Sequence, residues 1–131
     1  MKISVAMATY NGAQYIEEQL ESIRIQTMPV DEVRICDDGS LDDTVEVICH
    51  YIREHGLESS WSVEVNQENL GYASNFMKAV GLTNGDYVFF CDQDDIWIAD
   101  RAERMIGLME AHPDMLLLGS GFDSFVSAKD A

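Results

Sequence analysis

Short apolar runs alternate along this chain with segments whose apolar residues recur every three to four positions. ISVAMAT, residues 3–9, reads as a strand ending at Thr9-Tyr10-Asn11-Gly12. Ile16, Leu20 and Ile23 then recur at helical spacing, predicting a helix of about 13 residues, with Pro29 in the loop that follows. EVRICDD (32–38) predicts a second strand with Val33 and Ile35 on one face. Ser40 is placed to cap a second helix, with Asp42 and Asp43 in its first turn, Val45, Ile48 and Ile52 as its apolar stripe, and Gly56 at its stop. WSVEVNQ (61–67) alternates like a third strand, and a short helix carrying Ala73, Phe76, Met77 and Val80 follows Gly71. After the Asn84-Gly85 turn, DYVFFCD (86–92) is apolar on both faces, which predicts a central strand of a covered sheet. A helix over roughly 98–111 turns Ala102, Met105 and Met109 inward until Pro113 halts it, and MLLLGSGFDSF (115–125) begins another strand.

Strand–helix alternation of this kind predicts an α/β fold with a mainly parallel central sheet and right-handed connections. Ligands in such sheets bind just beyond the carboxyl ends of the strands. The chemically loaded residues fall at those ends four times. Strand one ends in Thr9-Tyr10-Asn11, strand two in Asp37-Asp38-Gly39-Ser40, and strand four in Asp92-Gln93-Asp94-Asp95. Strand three ends in Asn66, followed by Asn69-Leu70-Gly71-Tyr72. Four loops are thus expected to converge on one crevice.

Composition narrows the partners. The 131 residues fit a single domain spanning 1–131, and 47% hydrophobic content indicates a soluble globular chain. No apolar run approaches the ~20 residues needed to cross a bilayer. MKISVAMATYNG has no long apolar segment of the secretory type. The formal net charge of −16 argues against nucleic acid and against direct docking on anionic membrane. Cys36, Cys49 and Cys91 lack metal-like spacing and read as reduced, cytosolic thiols packed as small apolar groups. His50, His55 and His112 form no metal set or triad and are expected at the surface. Neither G-x-x-x-x-G-K-[ST] nor G-x-G-x-x-G follows the first strand, which disfavours an NTPase or an ordinary dinucleotide enzyme.

FFCDQDDIW, residues 89–97, carries three carboxylates in four positions. Two like charges about 4 Å apart cost roughly 4 kcal/mol at an effective dielectric near 20. Asp92 and Asp94, two apart, share one side of an extended chain. Their repulsion becomes useful if a divalent cation joins them to a polyanion, since Mg2+ commonly takes one or two carboxylates and fills its other positions with water and phosphate oxygens. A nucleoside diphosphate fits that description. The plainer reading is an acidic turn capping the next helix, for which one carboxylate suffices. At Asp37 and Asp38 a turn with a helix cap competes with acceptance of a base N–H. Tyr10 is placed to stack on a planar base or to sit half-buried on the rim. Asn69, Gly71 and Asn75 surround a helix start, whose free N–H groups favour anions. Lys78 reads as solvated, and Trp97 as a packing anchor.

ATYNG, CDDGSLDDT, NLGYASNF and FCDQDDIW, in that order, resemble the motifs of family-2 glycosyltransferases with the GT-A fold, a three-layer Rossmann-like architecture. The resemblance runs from Ile3 to about Phe125. The DQDDIW form is similar to bacterial enzymes that add sugars, often rhamnose, to surface polysaccharide. It implies that Thr9, Tyr10, Asn11 and Asp37 or Asp38 line a base pocket, and that Asn69, Gly71 and Asn75 lie near ribose and diphosphate. Asp92 and Asp94 match the family's Asp-x-Asp, Asp92 towards ribose or metal and Asp94 to Mg2+ or Mn2+. The implied partners are a nucleoside-diphosphate sugar of UDP or dTDP type and a saccharide or lipid-linked acceptor. The implied reaction is inverting hexosyl or deoxyhexosyl transfer. The implied location is the cytoplasm, with peripheral association at the inner face of the membrane for the full-length protein. No Glu-Asp-type base motif follows the Asp-x-Asp, so the chain is expected to be the donor half of a GT-A domain, truncated on its C-terminal side, with the base beyond residue 131.

Two other classes remain as alternatives. A phospho-receiver signalling domain has similar length and clustered acids, but needs an acidic pair after its first strand, where this chain has Tyr10-Asn11. A non-catalytic nucleotide-binding module is the other.

Overall fold

In the computed structural model, which describes residues 2–91 and 96–112, side-chain parity along each strand decides which helix covers it. Four strands, β1 (Ile3–Thr9), β2 (Glu32–Asp37), β3 (Trp61–Val65) and β4 (Tyr87–Cys91), form one parallel sheet in the order β3-β2-β1-β4. Helices α1 (Ile16–Arg24), α2 (Thr44–Glu54), α3 (Tyr72–Gly81) and α4 (Arg101–Ala111) alternate with them.

Val5, Met7, Val33, Ile35, Phe89 and Cys91 face one way and pack with Ile16, Leu20 and Ile23 of α1, Ile48 and Ile52 of α2, and Ala102 and Ile106 of α4. Each fully buried Ile or Leu in that layer contributes roughly 1.5–3 kcal/mol by removal from water. The opposite face carries Ala6, Ala8 and Cys36, small side chains that let α3 lie close through Phe76 and Ala79. The result is the expected three-layer α/β arrangement.

Several local expectations are corrected. The first helix is nine residues, because Gly12–Tyr15 form a turn in which the Tyr15 and Ile16 amides both donate to the Gly12 carbonyl. Ser40 is not a helix cap. Its hydroxyl serves the loop instead, and α2 starts at Thr44, whose amide donates to Asp42 Oδ1. Met77 and Ala73 point outward, since the inward stripe of α3 is Asn75, Phe76 and Ala79. On α4 the sequence reading missed Ile106, which is buried where Met105 is only half-buried. β4 pairs with β1 among the described residues, and whether a further strand flanks it lies outside them. The expected strand over 115–125 and its Pro113 stop lie outside the described residues.

Trp97 is the anchor the sequence suggested: it is buried against Phe89, with the Arg101 guanidinium 4.6 Å from its ring centre. Gln26 fastens the segment before α4 to α1, accepting the Ala102 amide and donating to the Ile98 and Ser22 carbonyls. Cys36, Cys49 and Cys91 are free thiols. No helix among the described residues is long and apolar enough to cross a membrane.

The strand order also bears on the signalling alternative. Receiver-type domains are ordered 2-1-3-4-5, whereas 3-2-1-4 is the half-Rossmann order, in which β1 is the point where the chain reverses direction across the sheet. The phospho-receiver reading is dropped.

Candidate functional site

The parallel register brings the carboxyl ends of β1 and β2 level, with Thr9 paired to Asp37 and Ala8 to Cys36. Because neighbouring residues of a strand point to opposite faces, Asp37 and Asp38 part company. Asp37 turns to the α1/α2 side with Thr9. Asp38 turns to the α3 side with Ala8.

Asp37 is fully buried, and all its acceptor positions are taken. Oδ1 accepts from the Thr9 hydroxyl at 2.7 Å and the Ser40 hydroxyl at 2.6 Å, and Oδ2 from the amides of Gly39 at 3.1 Å and Ser40 at 2.7 Å. A carboxylate so engaged has no lone pair left for a ligand. It binds two loops together instead. Asn11 completes the clamp: its amide donates to Ser40 Oγ, and its Oδ1 accepts the Leu41 amide. Its backbone is left-handed, with φ 51°, a conformation Asn tolerates better than most residues.

Asp38, 5% exposed, is anchored from the loop that joins β3 to α3. Oδ1 accepts from Asn66 Nδ2 at 3.0 Å and the Leu70 amide at 2.7 Å, and Oδ2 from the Gly71 amide at 3.0 Å. Burial pushes this carboxyl's pKa up, but the Leu70 amide, Asn66 and the Gly71 amide outweigh it and hold Asp38 below the ordinary aspartate range. The helix-start amides expected to receive an anion thus hold Asp38 itself. Gly71 reaches this position with φ 85° and ψ 159°, a region open essentially to glycine alone.

Asn69 donates to the Asp38 carbonyl at 3.2 Å, closing the loop over β2. Asn75 is buried and used at both ends, accepting from Asn66 and donating to the Cys36 carbonyl. Lys78 is not merely solvated: its ammonium donates to Asn66 Oδ1 at 2.7 Å and lies 3.8 Å from Glu64.

Above these groups opens a cleft of ≈ 360 Å³ lined by Ala8, Thr9, Tyr10, Asp38, Asn69, Gly71, Tyr72 and Asn75. That volume falls within the range of small-molecule sites. Tyr10 and Tyr72, 43% and 62% exposed, supply aromatic surface at its edge. The structure therefore gathers Thr9, Tyr10, Asp38, Asn69, Gly71 and Asn75 around one cleft, and sets Asp37 and Asn11 behind it as loop clamps. Ala8 was not singled out from the sequence, and Asn66 and Tyr72 were placed at the end of strand three without a role. A polar residue closing a strand was the available signal for Asn66, and Tyr72 stands inside the NLGYASNF motif.

Asp92, Asp94 and Asp95 lie outside the described residues. The chain leaves β4 at Cys91, paired with Met7, at the same edge of the sheet as Thr9. Among the described residues, no group of three or more His, Cys, Asp or Glu is placed to hold a metal ion.

A parallel sheet in half-Rossmann order, with a polar cleft at its carboxyl edge, is an α/β fold of the GT-A type. Residues 4–129 match the family model described as "Glycosyl transferase family 2", and the chain belongs to that family. It is 40% identical over 104 residues to the dTDP-rhamnosyl transferase RfbG of Shigella flexneri, an alignment covering 76% of this chain and 35% of that protein. Among solved structures, the mannosyltransferase PcManGT of Pyrobaculum calidifontis, in complex with GDP-Man and Mn2+, superposes with a TM-score of 0.77 at 28% identity, covering 87% of this chain and 33% of that one. S. aureus TarS 1–349 in complex with UDP-GlcNAc superposes with a TM-score of 0.75 at 27% identity, covering 98% and 38%. The chain spans less than half the length of these proteins.

Proposed function

We propose that residues 1–131 are the nucleotide-sugar-binding portion of a glycosyltransferase that acts in bacterial polysaccharide synthesis. One observation carries this reading: Asp38, held as a carboxylate at the wall of a cleft rimmed by Tyr10 and Tyr72, keeps an acceptor position on Oδ2 among the described residues. A uracil or thymine ring presents N3–H, a donor that such an acceptor takes, which supports a UDP or dTDP sugar as the donor. Of the two aspartates, Asp38 meets the base, and Asp37 organises the loops. Support also comes from the dTDP-rhamnosyl relative and the UDP-GlcNAc complex of a structural neighbour.

Asp92 and Asp94, which follow β4 in the sequence, are the residues proposed to hold Mg2+ or Mn2+. That ion would offset the charge gathering on the departing nucleoside diphosphate. The remaining steps of the proposal are hexosyl or deoxyhexosyl transfer to a saccharide or lipid-linked acceptor, with inversion, by a base supplied outside residues 1–131. Peripheral association of the full-length protein with the inner face of the membrane belongs to the same proposal.

The test is calorimetric titration of UDP and dTDP into the chain with MnCl2. Binding is expected, weakened about tenfold or more by Asp38→Asn, which removes one hydrogen bond to a charged acceptor. Asp94→Ala should abolish the manganese dependence. Absence of uptake of any nucleoside diphosphate overturns the reading.

A further inference from the structure

The polar groups behind the cleft form a string whose direction is fixed from both ends. Lys78 Nζ can only donate, and it meets Asn66 Oδ1 at 2.7 Å. Asn66 must therefore turn its amino group the other way, where Nδ2 spends one hydrogen on Asp38 Oδ1 at 3.0 Å and the other on Asn75 Oδ1 at 2.7 Å. Asn75 in turn gives its own amino group to the Cys36 carbonyl at 2.8 Å, an atom that can only accept. Amide orientations that are elsewhere open to a flip are here dictated by chemistry. Both asparagines are buried, so neither exchanges these partners for water.

With Asn66 and the Leu70 amide both on Oδ1, that oxygen is filled. Oδ2 carries the Gly71 amide and is left with one acceptor direction among the described residues. We propose that Asn66 and Lys78 are positioning residues for base selectivity, acting through Asp38 to aim that remaining lone pair into the cleft. This inference rests on the donor-site reading above. Neither side chain lines the cleft, so neither need touch the nucleotide. The Leu70 and Gly71 amides fix the plane of the carboxylate, Asn66 fills the second position on Oδ1, and Lys78 holds Asn66. Losing either side chain opens a second acceptor direction, on Oδ1, and the preference for a single ring N–H is lost with the aim.

UDP and CDP separate the two ideas. Uracil offers N3–H, whereas cytosine has a lone pair at N3 and donates only from its exocyclic N4 amino group, one position away; the ribose and diphosphate are the same. Both nucleotides are titrated with MnCl2 into the parent chain, Asn66→Ala, Lys78→Met and Lys78→Arg. The parent is expected to favour UDP. Asn66→Ala should reduce UDP affinity about tenfold and Lys78→Met about threefold, with CDP affinity unchanged, as expected for an aimed hydrogen bond to a charged group. Lys78→Arg keeps a donor-only group there and should retain the preference. Equal weakening of both nucleotides, or an undiminished UDP preference in both variants, overturns the inference and leaves the donor site standing. A parent chain that binds UDP and CDP alike overturns the inference, and one that binds neither of them nor dTDP overturns the donor-site reading itself. Should Asn66→Ala fail to fold, Lys78→Met decides alone, because its ammonium sits at a partly exposed position on α3.

Discussion

Removing the Asp37 carboxylate in steps should grade the stability of the domain, because its four donors are not alike. Two are hydroxyls, Thr9 Oγ1 and Ser40 Oγ, which can rotate; two are main-chain amides, Gly39 and Ser40, which cannot. Thr9→Val deletes one hydroxyl and leaves the other three contacts, costing about 1 kcal/mol. Asp37→Asn keeps one oxygen, best spent on the two amides, and turns its amino group to hydroxyls that can swing round to accept. Weakening two charge-assisted bonds and disturbing two others costs about 2–3 kcal/mol. Asp37→Ala leaves four donors without their acceptor at a partly buried loop junction. At about 1–3 kcal/mol for each unmatched group the loss is about 4 kcal/mol or more, close to the whole stability of many domains. Trp61 and Trp97 are both buried, so tryptophan fluorescence follows equilibrium unfolding in urea directly. The expected order of destabilisation is Thr9→Val, then Asp37→Asn, then Asp37→Ala. If Asp37→Ala unfolds within about 1 kcal/mol of the parent, the carboxylate is not the clasp between the β1 and β2 loops, and the division of labour between the two aspartates fails.

Gly71→Ala should cost about 1–3 kcal/mol in the same assay, because a Cβ is strained at φ 85°, ψ 159°, and it should weaken UDP binding by drawing the Gly71 amide away from Asp38. Acid should destabilise the fold in a defined direction. The folded-state pKa of Asp38 is depressed, so its contribution is complete above the unfolded value of about 3.9 and is lost as pH falls through the folded one. Buried Glu32 has the same sign: burial raises its pKa, and the Asn84 amide, Lys2 and Arg34 outweigh that. Urea midpoints measured from pH 7 down to pH 3 should therefore fall mainly below about pH 4, and less steeply in Asp38→Asn.

Strand and helix type was legible because apolar period and strand length agree in each element. ISVAMAT and EVRICDD are too short to be helices of that hydrophobicity and are flanked by turn residues. Layering was less legible. Ala6, Ala8 and Cys36 mark the face of the sheet where a helix must come close, yet a run of small residues has no period that names the helix it receives. Hydrophobicity measures burial and not position in strand order: in β4 Phe89 is covered while Phe90 is half-exposed among the described residues. Helix starts were the weakest point. Ser40 has the composition of a cap, and nothing local reveals that Asp37 and Asn11 compete for its hydroxyl and win it for the loop.

The adjacent pair Asp37-Asp38 shows how far parity alone can separate two identical side chains. Once EVRICDD is a strand with Val33 and Ile35 inward on the α1 side, Asp37 must follow them and Asp38 must face the other layer. Which face holds a ligand is a separate matter, settled by what the two faces can supply. On one side Thr9, Gly39 and Ser40 lie close enough in sequence and register to satisfy a carboxylate completely, leaving it inert. On the other, the donors come from Asn66, Leu70 and Gly71, some thirty residues away, and a floor as small as Ala8 leaves space beside them. A site requires that a polar group be held without being used up. Asp38 meets that condition and Asp37 does not, although the chain writes them with the same letter.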